Sequence, residues 1–550
     1  SFLGHGLVPP YPFNQLAMKQ TFVILSILFS SLWSVAQTTT FSIRIEEDSI
    51  TGMPGLQSFV RGIYLGKWIL IGGRTDGLHR RQPWASFDPV DNNTTIYQVD
   101  PVGKQVWSAS ISSLPVALQE QLQSTNMCFA QRNNTLYVLG GYGYSATAAD
   151  HITYDQLVAI DLAGLSFALE QGLAIAPHFR YLTDSRLGVT GGHLGRLDSV
   201  FYLAGGQRFT GRYNPMNNPT FVQEYTNEVR RFTIRDDGTN LSIDNYSAWR
   251  DTTELHRRDY NMLPQVFPNG ERGFTMFSGV FQHLVDLPWL NTVDLTPSGY
   301  TPVAGFSQYL SQYHSAKAAL WDSSTNTMHS LFFGGISRYT LDTATGTLLD
   351  DPNVPFVRTI SRVTRYPDGA MTEYAFPETM PVLTGSGAEF FPVESLPMDE
   401  QEILRLDLLP VGETVIGHIV GGIESSQPNI FFINTGVESV ASARLYRIVL
   451  DKEIVSSVND LSTPAEAMAI RIGPNPAESE FQVELDTKVQ GDTKVELLDL
   501  NGKVVRTVAQ QPVRPGRHRF NCDTRGLAPG RYQCRARCGA IEKQTGVIVK

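Results

Sequence analysis

Lys67-Trp-Ile-Leu-Ile-Gly-Gly73 decides how this chain is read. A polar residue is followed by four apolar ones and a glycine pair. The phrase returns as Thr135-Leu-Tyr-Val-Leu-Gly-Gly141, Val200-Phe-Tyr-Leu-Ala-Gly-Gly206 and His329-Ser-Leu-Phe-Phe-Gly-Gly335. Looser copies are Phe274-Thr-Met-Phe-Ser-Gly279 and Ile416-Gly-His-Ile-Val-Gly-Gly422. The closing glycines stand at 73, 141, 206, 279, 335 and 422, with gaps of 68, 65, 73, 56 and 87. A recurring phrase fixes the architecture before any single element does. Four or five apolar residues, rich in aromatic and β-branched types, are too few for a helix and read as a buried strand. The glycines let the backbone turn, or let a neighbour approach where a Cβ would clash. One such strand cannot bury its faces alone. Six copies, each with three partner strands, predict an all-β fold of six blades stacked around an axis.

Strand, Gly-Gly, variable loop, strand, then a tryptophan in a fourth strand resembles the Kelch repeat of galactose oxidase-like propellers. Trp107 and Trp249 stand where that tryptophan is expected, and Ser278 breaks the fourth glycine pair. The period exceeds the roughly 50 residues of a Kelch repeat, and the excess is assigned to loops. The resemblance covers roughly residues 40–455. It implies a six-bladed Kelch-like β-propeller and leaves function open, because propellers host binders and enzymes alike. The blades are bracketed as Phe59 to Ser110, Met127 to Glu170, Gly188 to Trp249, Asn261 to Ala304, His314 to Phe376 and Ala388 to Leu450. The alternating stretch Thr40-Phe-Ser-Ile-Arg-Ile-Glu46 is expected to complete the last blade and close the ring, which removes an exposed edge.

The 550 residues are 42% apolar and 18% charged, enough for a large core and a second domain. A net charge of −10 argues against nucleic acid as a partner. Residues 1–17 read as a non-native upstream extension. Met18-Lys19, an apolar run from Phe22 and a close at Ser34-Val-Ala36 make residues 18–36 a secretory signal peptide. Past it, no stretch reaches the ~18–20 apolar residues of a membrane span, so the mature chain is expected to have none. The propeller is set at 37–455, a polar linker at 456–468 and a last domain at 469–550. Cys128, Cys522, Cys534 and Cys538 form no Cys-x-x-Cys pair, so no metal site is expected, and one disulfide among the last three stays open.

The last domain alternates apolar strands with Asn-Gly and Pro-Gly turns, which predicts a small antiparallel β-sandwich. Pro474-Asn475-Pro476, Asp499-Leu-Asn501-Gly502 and Leu527-Ala-Pro-Gly530-Arg-Tyr532 closely resemble the type A C-terminal sorting domain of the Bacteroidetes type IX secretion system. That resemblance implies the type IX machinery as a partner. It also implies export, removal of this domain, and release or attachment at the outer surface.

Propeller topology turns sequence into a face. Loops between strands 2 and 3 open on the same side as loops joining one blade to the next. Arg74, His79, Arg81, Tyr142, Arg208, Arg212 and Arg338 follow the glycine pairs; His178, Arg180, His256, Arg257, Arg258, Tyr260 and His314 fall between blades. Guanidinium forks pair with anionic groups and aromatic faces stack on sugar rings. These residues are therefore the candidate face for an anionic glycan or a surface protein. Within Kelch propellers the resemblance also admits copper-radical sugar oxidases and a sialic-acid epimerase. The first needs a cysteine cross-linked to a tyrosine, and Cys128 lies in a first strand. The second needs an acid and a base, for which His178, His256, His314 and Glu224 are available without a spacing that singles out a pair. No catalytic residue and no cofactor is assigned. The reading is a secreted or surface-attached binding or adhesion module. Its alternatives are a carbohydrate-active enzyme using the same face, or a structural surface protein.

Overall fold

The computed structural model describes residues 41–453 and 468–550, apart from positions 83, 215–219, 343, 344, 346, 488, 489, 500–502, 539 and 540. The expected upstream extension and signal peptide, most of the expected linker, and Asn501 and Gly502 of the sorting motif lie outside the described residues. Two compact units divide at residue 454.

The first unit is built around groups of four antiparallel strands. Among the described residues the second group is extended to a seven-stranded sheet, the fifth carries an added parallel strand, Ile403–Arg405, and two two-stranded ribbons lie outside the groups. Blade 1 runs from Val60–Tyr64 through Lys67–Ile71 and Thr95–Asp100 to Gln105–Ser110. Blade 2 uses Thr125–Arg132, Thr135–Ser145, Gln156–Asp161 and Phe179–Thr183. Blade 3 uses His193–Leu197, Val200–Ala204, Glu228–Asp236 and Leu241–Arg250. Blade 4 uses Asn261–Val266, Arg272–Phe277, Thr292–Thr296 and Gly299–Pro302. Blade 5 uses Ala316–Asp322, Thr327–Ile336, Phe356–Arg365 and Met371–Thr379. Blade 6 uses Ala388–Pro392, Gly412–Gly421 and Leu445–Lys452, and its fourth strand is Phe41–Asp48 from the start of the propeller. That strand pairs with Leu445–Lys452 along its whole length, from Phe41 opposite Lys452 to Asp48 opposite Leu445.

The apolar phrase lacks alternation because each second strand is covered on both faces. Leu136 and Val138 pack toward blade 1, while Tyr137 and Leu139 pack toward blade 3. Trp68 and Leu70 face blade 6, and Ile69 and Ile71 face blade 2. Among the described residues each neighbouring pair of sheets encloses its own apolar core, including the pair formed by blades 6 and 1.

The glycine pair staples these sheets together. The amide of each second glycine donates to a carbonyl at the start of the next blade: Gly73 to Ser124 at 2.9 Å, Gly141 to Val189 at 3.0 Å and Gly206 to Arg257 at 2.7 Å. Gly279 donates to Gln312 at 3.2 Å, Gly335 to Thr384 at 2.9 Å and Gly422 back to Leu56 of blade 1 at 2.8 Å. Ser278 takes the first-glycine position in blade 4 at φ 51°, and its hydroxyl donates to the Trp289 carbonyl at 2.6 Å.

One bracket is corrected. Glu170 does not end blade 2; it lies in the helix Leu162–Gln171, inserted between the third and fourth strands. Asp161 caps that helix by accepting from the Ala163 amide at 3.2 Å, and Gly172 ends it at φ 63°.

The second unit has a three-stranded sheet, Met468–Gly473, Glu480–Thr487 and Gly516–Asp523, and a four-stranded sheet. The second sheet holds Val504–Val513, Gly491–Leu498, Gly530–Cys538 and Ile541–Val549. Phe481, Val483 and Phe520 meet Val495, Leu497 and Tyr532 in one core, as a sandwich requires. Cys522, Cys534 and Cys538 are unbridged and buried in it. Among the described residues no helix is long and apolar enough to cross a membrane.

Candidate functional site

The first strands begin at a collar made by the main chain. Ser58 donates to Gly387 at 2.7 Å, Gly387 to His314 at 3.2 Å and His314 to Asp259 at 2.9 Å. Asp259 donates to Gly191 at 2.8 Å, Gly191 to Asn126 at 3.4 Å and Asn126 to Ser58 at 3.1 Å, which closes the circle. Ser58, Asn126, Asp259, Gly191 and Gly387 all sit at positive φ. Asn, Asp and Gly tolerate that conformation best, which is why these types recur at the collar.

Above the collar the long loops enclose a funnel of about 770 Å³. Its wall is aromatic, including Phe87, Tyr213, Phe221, Tyr225, Phe281 and Phe432. Side-chain amides of Gln57, Asn126, Gln223 and Gln282 interrupt it. Tyr225 stacks on His256 with ring centroids 3.8 Å apart, and its hydroxyl accepts from Arg258 Nε at 2.9 Å and from the Phe281 amide at 3.2 Å. Arg258 lies 5.3 Å from the Phe281 ring and pairs with Asp259.

The structure brings His79, Tyr142, His256, Arg258 and His314 of the expected face onto this funnel. Others are scaffold. Arg74 is buried and forks onto Asp76 at 2.6 and 2.8 Å, with Asn92 at 3.0 Å. Arg257 is fully buried between the Ser278 and Asn291 carbonyls, each at 2.8 Å. Tyr260 is buried and donates to the Ala204 carbonyl at 2.7 Å. Arg81 donates to the Phe432 carbonyl at 2.6 Å, Arg212 to the Ser86 carbonyl at 2.7 Å, and Arg338 forks onto Asp350 at 2.7 and 2.9 Å. Arg208 is exposed on the strand Gln207–Gly211, outside the lining.

His178 and Arg180 are corrections. They open the fourth strand of blade 2, which runs antiparallel to the third, so they sit at the end opposite the funnel. There Arg180 forks onto Asp236 at 3.1 and 2.7 Å, and His178 lies 3.8 Å from Asp161. The inserted helix had displaced the reading of that strand.

Burial holds His79 down to about 4, and burial with the nearby His283 and Arg258 holds His256 down to about 4. Both imidazoles are neutral at pH 7. An unfolded histidine titrates near 6.5, so from there down to about 4 the unfolded chain binds protons that the folded one refuses. Stability is therefore expected to fall as pH drops through that window, by about 1.4 kcal/mol per pH unit for the more deeply buried His79 and by less for the solvent-screened His256. Melting curves at pH 7 and pH 5 check this. A His79→Gln chain should show a shallower slope, and an unchanged slope would refute the assignment.

Beneath the collar, three charges that the sequence reading passed over, Arg61, Lys317 and Glu389, meet His314 in the channel. His314 Nε2 is 3.3 Å from Glu389, and Arg61 Nε is 3.6 Å from the same carboxylate. Arg61 also forks onto Glu402 at 3.0 and 2.5 Å. Burial alone would raise the Glu389 carboxyl, but Lys317, His314 and Arg61 together hold it below its usual range. A signal did exist: Arg61, Lys317 and Glu389 each interrupt an apolar first strand at its second residue. Among the described residues no cluster of His, Cys, Asp and Glu could hold a metal ion, and Cys128 is a buried thiol raised to about 12 by burial.

No curated protein matches the sequence. Among solved structures, the chain is similar to a fungal alcohol oxidase of the AA5 family in complex with copper. The identity is 9%, covering 92% of this chain and 99% of that one, with a TM-score of 0.35. It is also similar to YjhT at 11% identity, covering 72% of this chain and 95% of that one, with a TM-score of 0.40. Residues 471–550 match the secretion system C-terminal sorting domain. In that stretch Asn475 Oδ1 accepts from the Ile548 amide at 2.9 Å, and the Tyr532 hydroxyl donates to the Ala528 carbonyl at 2.8 Å, so motif residues fasten strand ends. Residues 471–550 are therefore a secretion-system sorting domain, and the all-β chain that carries it is exported by type IX secretion to the cell surface or the outside.

Proposed function

We propose that this exported propeller binds carbohydrate in its funnel. The observation that carries the reading is a deep aromatic wall interrupted by side-chain amides. Aromatic faces stack on the apolar faces of sugar rings, and amides exchange hydrogen bonds with hydroxyls. Among the described lining residues Arg258 is the sole arginine, Asp259 pairs with it, and Asp286 adds a further carboxylate. This charge balance favours uncharged sugars over the acidic glycans that the arginine count suggested. The full chain on an array of neutral and acidic glycans tests the reading. A neutral hit is expected, and Phe221→Ala or Phe281→Ala should weaken its Kd at least tenfold, a loss of about 1.4 kcal/mol. An array without hits, or variants that bind unchanged, would refute it.

One observation favours a second reading, a carbohydrate-active enzyme of the epimerase or isomerase type. His314, which lines the funnel, meets Glu389 beneath the collar, and the two can serve as an acid–base pair. Proton NMR of a bound sugar in D₂O decides it: exchange at a carbon position supports turnover, and none leaves binding alone.

A further inference from the structure

Under the collar lies a second space of about 150 Å³. Each blade's first strand contributes one residue at the same level: Arg61, Phe129, Leu194, Met262, Lys317 and Glu389. Blades 5, 6 and 1 supply the charged side chains, and blades 2, 3 and 4 the apolar ones. At this level the chamber is charged on one half and apolar on the other, while His193, Asp259 and Asn126 keep the collar side of the second half polar. An apolar cavity of ~150 Å³ holds a molecule the size of benzene. Ser58, Asn126, Gly191, Asp259 and His314 line both this chamber and the funnel, so the two spaces meet at the collar.

Lys317 stands apart from the other lysines. Residues 41–453 contain Lys67, Lys104, Lys317 and Lys452. Lys67 pairs with Glu170 at 2.5 Å, Lys104 with Asp48 at 2.5 Å, and Lys452 donates to the Asp407 and Leu409 carbonyls at 3.1 and 3.0 Å. The Lys317 ammonium donates to the Ser315 carbonyl at a long 3.4 Å. Arginine serves as the cation almost everywhere else in the propeller, and a guanidinium does not give up its proton in proteins. Of the two, only lysine supplies a nucleophilic amine. Burial lowers Lys317 to about 8; the Glu389 carboxylate opposes the shift and Arg61 adds to it. His314, His193, Asp259 and the thiol of Cys128 are the remaining titratable groups on the chamber wall.

We propose that this chamber is a covalent carbonyl site. It takes a short aliphatic aldehyde or ketone, with the alkyl end against Phe129, Leu194 and Met262 and the carbonyl at Lys317. The neutral Nζ attacks the carbonyl carbon, and one amine proton moves to the oxygen to give a carbinolamine. The C–O bond then breaks, the second amine proton leaves with the hydroxyl as water, and a C=N bond remains. Nothing is oxidised or reduced. His314 and Glu389 lie beside Lys317 on the wall, placed to pass these protons. The proposal goes beyond carbohydrate binding and needs no sugar.

The test uses the full chain with propanal and sodium cyanoborohydride, which reduces the imine to a stable propyl-lysine that is read by peptide mass. Lys317 is expected to label at least tenfold faster than Lys104, with a rate that saturates in propanal. Its pH midpoint should fall near 8, against ~10.4 for an ordinary exposed lysine. Lys317→Arg should abolish the fast adduct. Labelling of Lys317 no faster than Lys104, or a rate that rises linearly without saturation, would overturn the site. Both are read on the unaltered chain, so a misfolded variant does not blunt the test.

Discussion

Replacing Gly140 by alanine is expected to cost about 3–5 kcal/mol of stability, among the largest single-residue effects in the chain. The backbone there is left-handed at φ 69°, and a Cβ would stand 1.8 Å from the Val189 carbonyl oxygen. That oxygen cannot retreat cheaply, because it accepts the Gly141 amide that staples blade 2 to blade 3. Alanine therefore forces a choice between a steric overlap and a broken staple. Gly238→Ala separates the two causes. Gly238 has φ 88° but nothing within 4 Å of a built Cβ, so only the backbone term of about 1–2 kcal/mol remains. Urea unfolding of both variants checks the contrast. Equal losses would show that clash with the neighbouring blade contributes nothing.

Deleting residues 41–48 is expected to leave no stable ring. The strand supplies the whole outer edge of blade 6, and Phe41 and Ile43 are buried in the core between blades 5 and 6. Removing a buried phenylalanine alone costs about 3–5 kcal/mol, and the deletion adds a row of unpaired backbone groups along Leu445–Lys452. A chain lacking the strand should be insoluble or melt far below the full one. A synthetic peptide of residues 41–48 added in trans should recover part of the loss by strand addition. A truncated chain that melts within a few degrees of the full one would refute the closure argument.

These two expectations rest on features the amino-acid order announces. Apolar runs without alternation signal strands covered on both faces, and glycine pairs at their ends signal close approach between sheets. The funnel was less legible. Phe221, which opens the strand Phe221–Tyr225, and Phe281 and Phe432 come from insertions that share no pattern between blades, so no period points to them. The arginine-rich face was over-read because paired acids cancel several of its arginines. Arg74 pairs with Asp76 and Arg258 with Asp259, so for these two the cancelling acid sits within two residues, whereas Arg338 is cancelled by Asp350 and Arg180 by Asp236 from farther along the chain. His178 and Arg180 were misplaced because a helix separates the third strand of blade 2 from the fourth, which moves them to the other end of the sheet. The channel charges were visible one at a time, as Arg61, Lys317 and Glu389 in otherwise apolar strands. Only the common level of the strands shows that they share a chamber.

The collar has a consequence for how such a protein can change over time. Its bonds run from amide to carbonyl, so the bore is set by how many sheets surround it and not by which side chains point inward. Its lining residues can therefore be exchanged with little penalty, so long as Gly191 and Gly387 are kept and Ser58, Asn126 and Asp259 give way to types that accept a left-handed backbone. Mutation can retune what passes from funnel to chamber while the aperture that holds the sheets together stays the same width. A library offering Asn, Asp and Gly at position 126 and all types at His314 should yield mostly folded chains that differ in ligand, a starting stock for selecting new specificities on an unchanged frame.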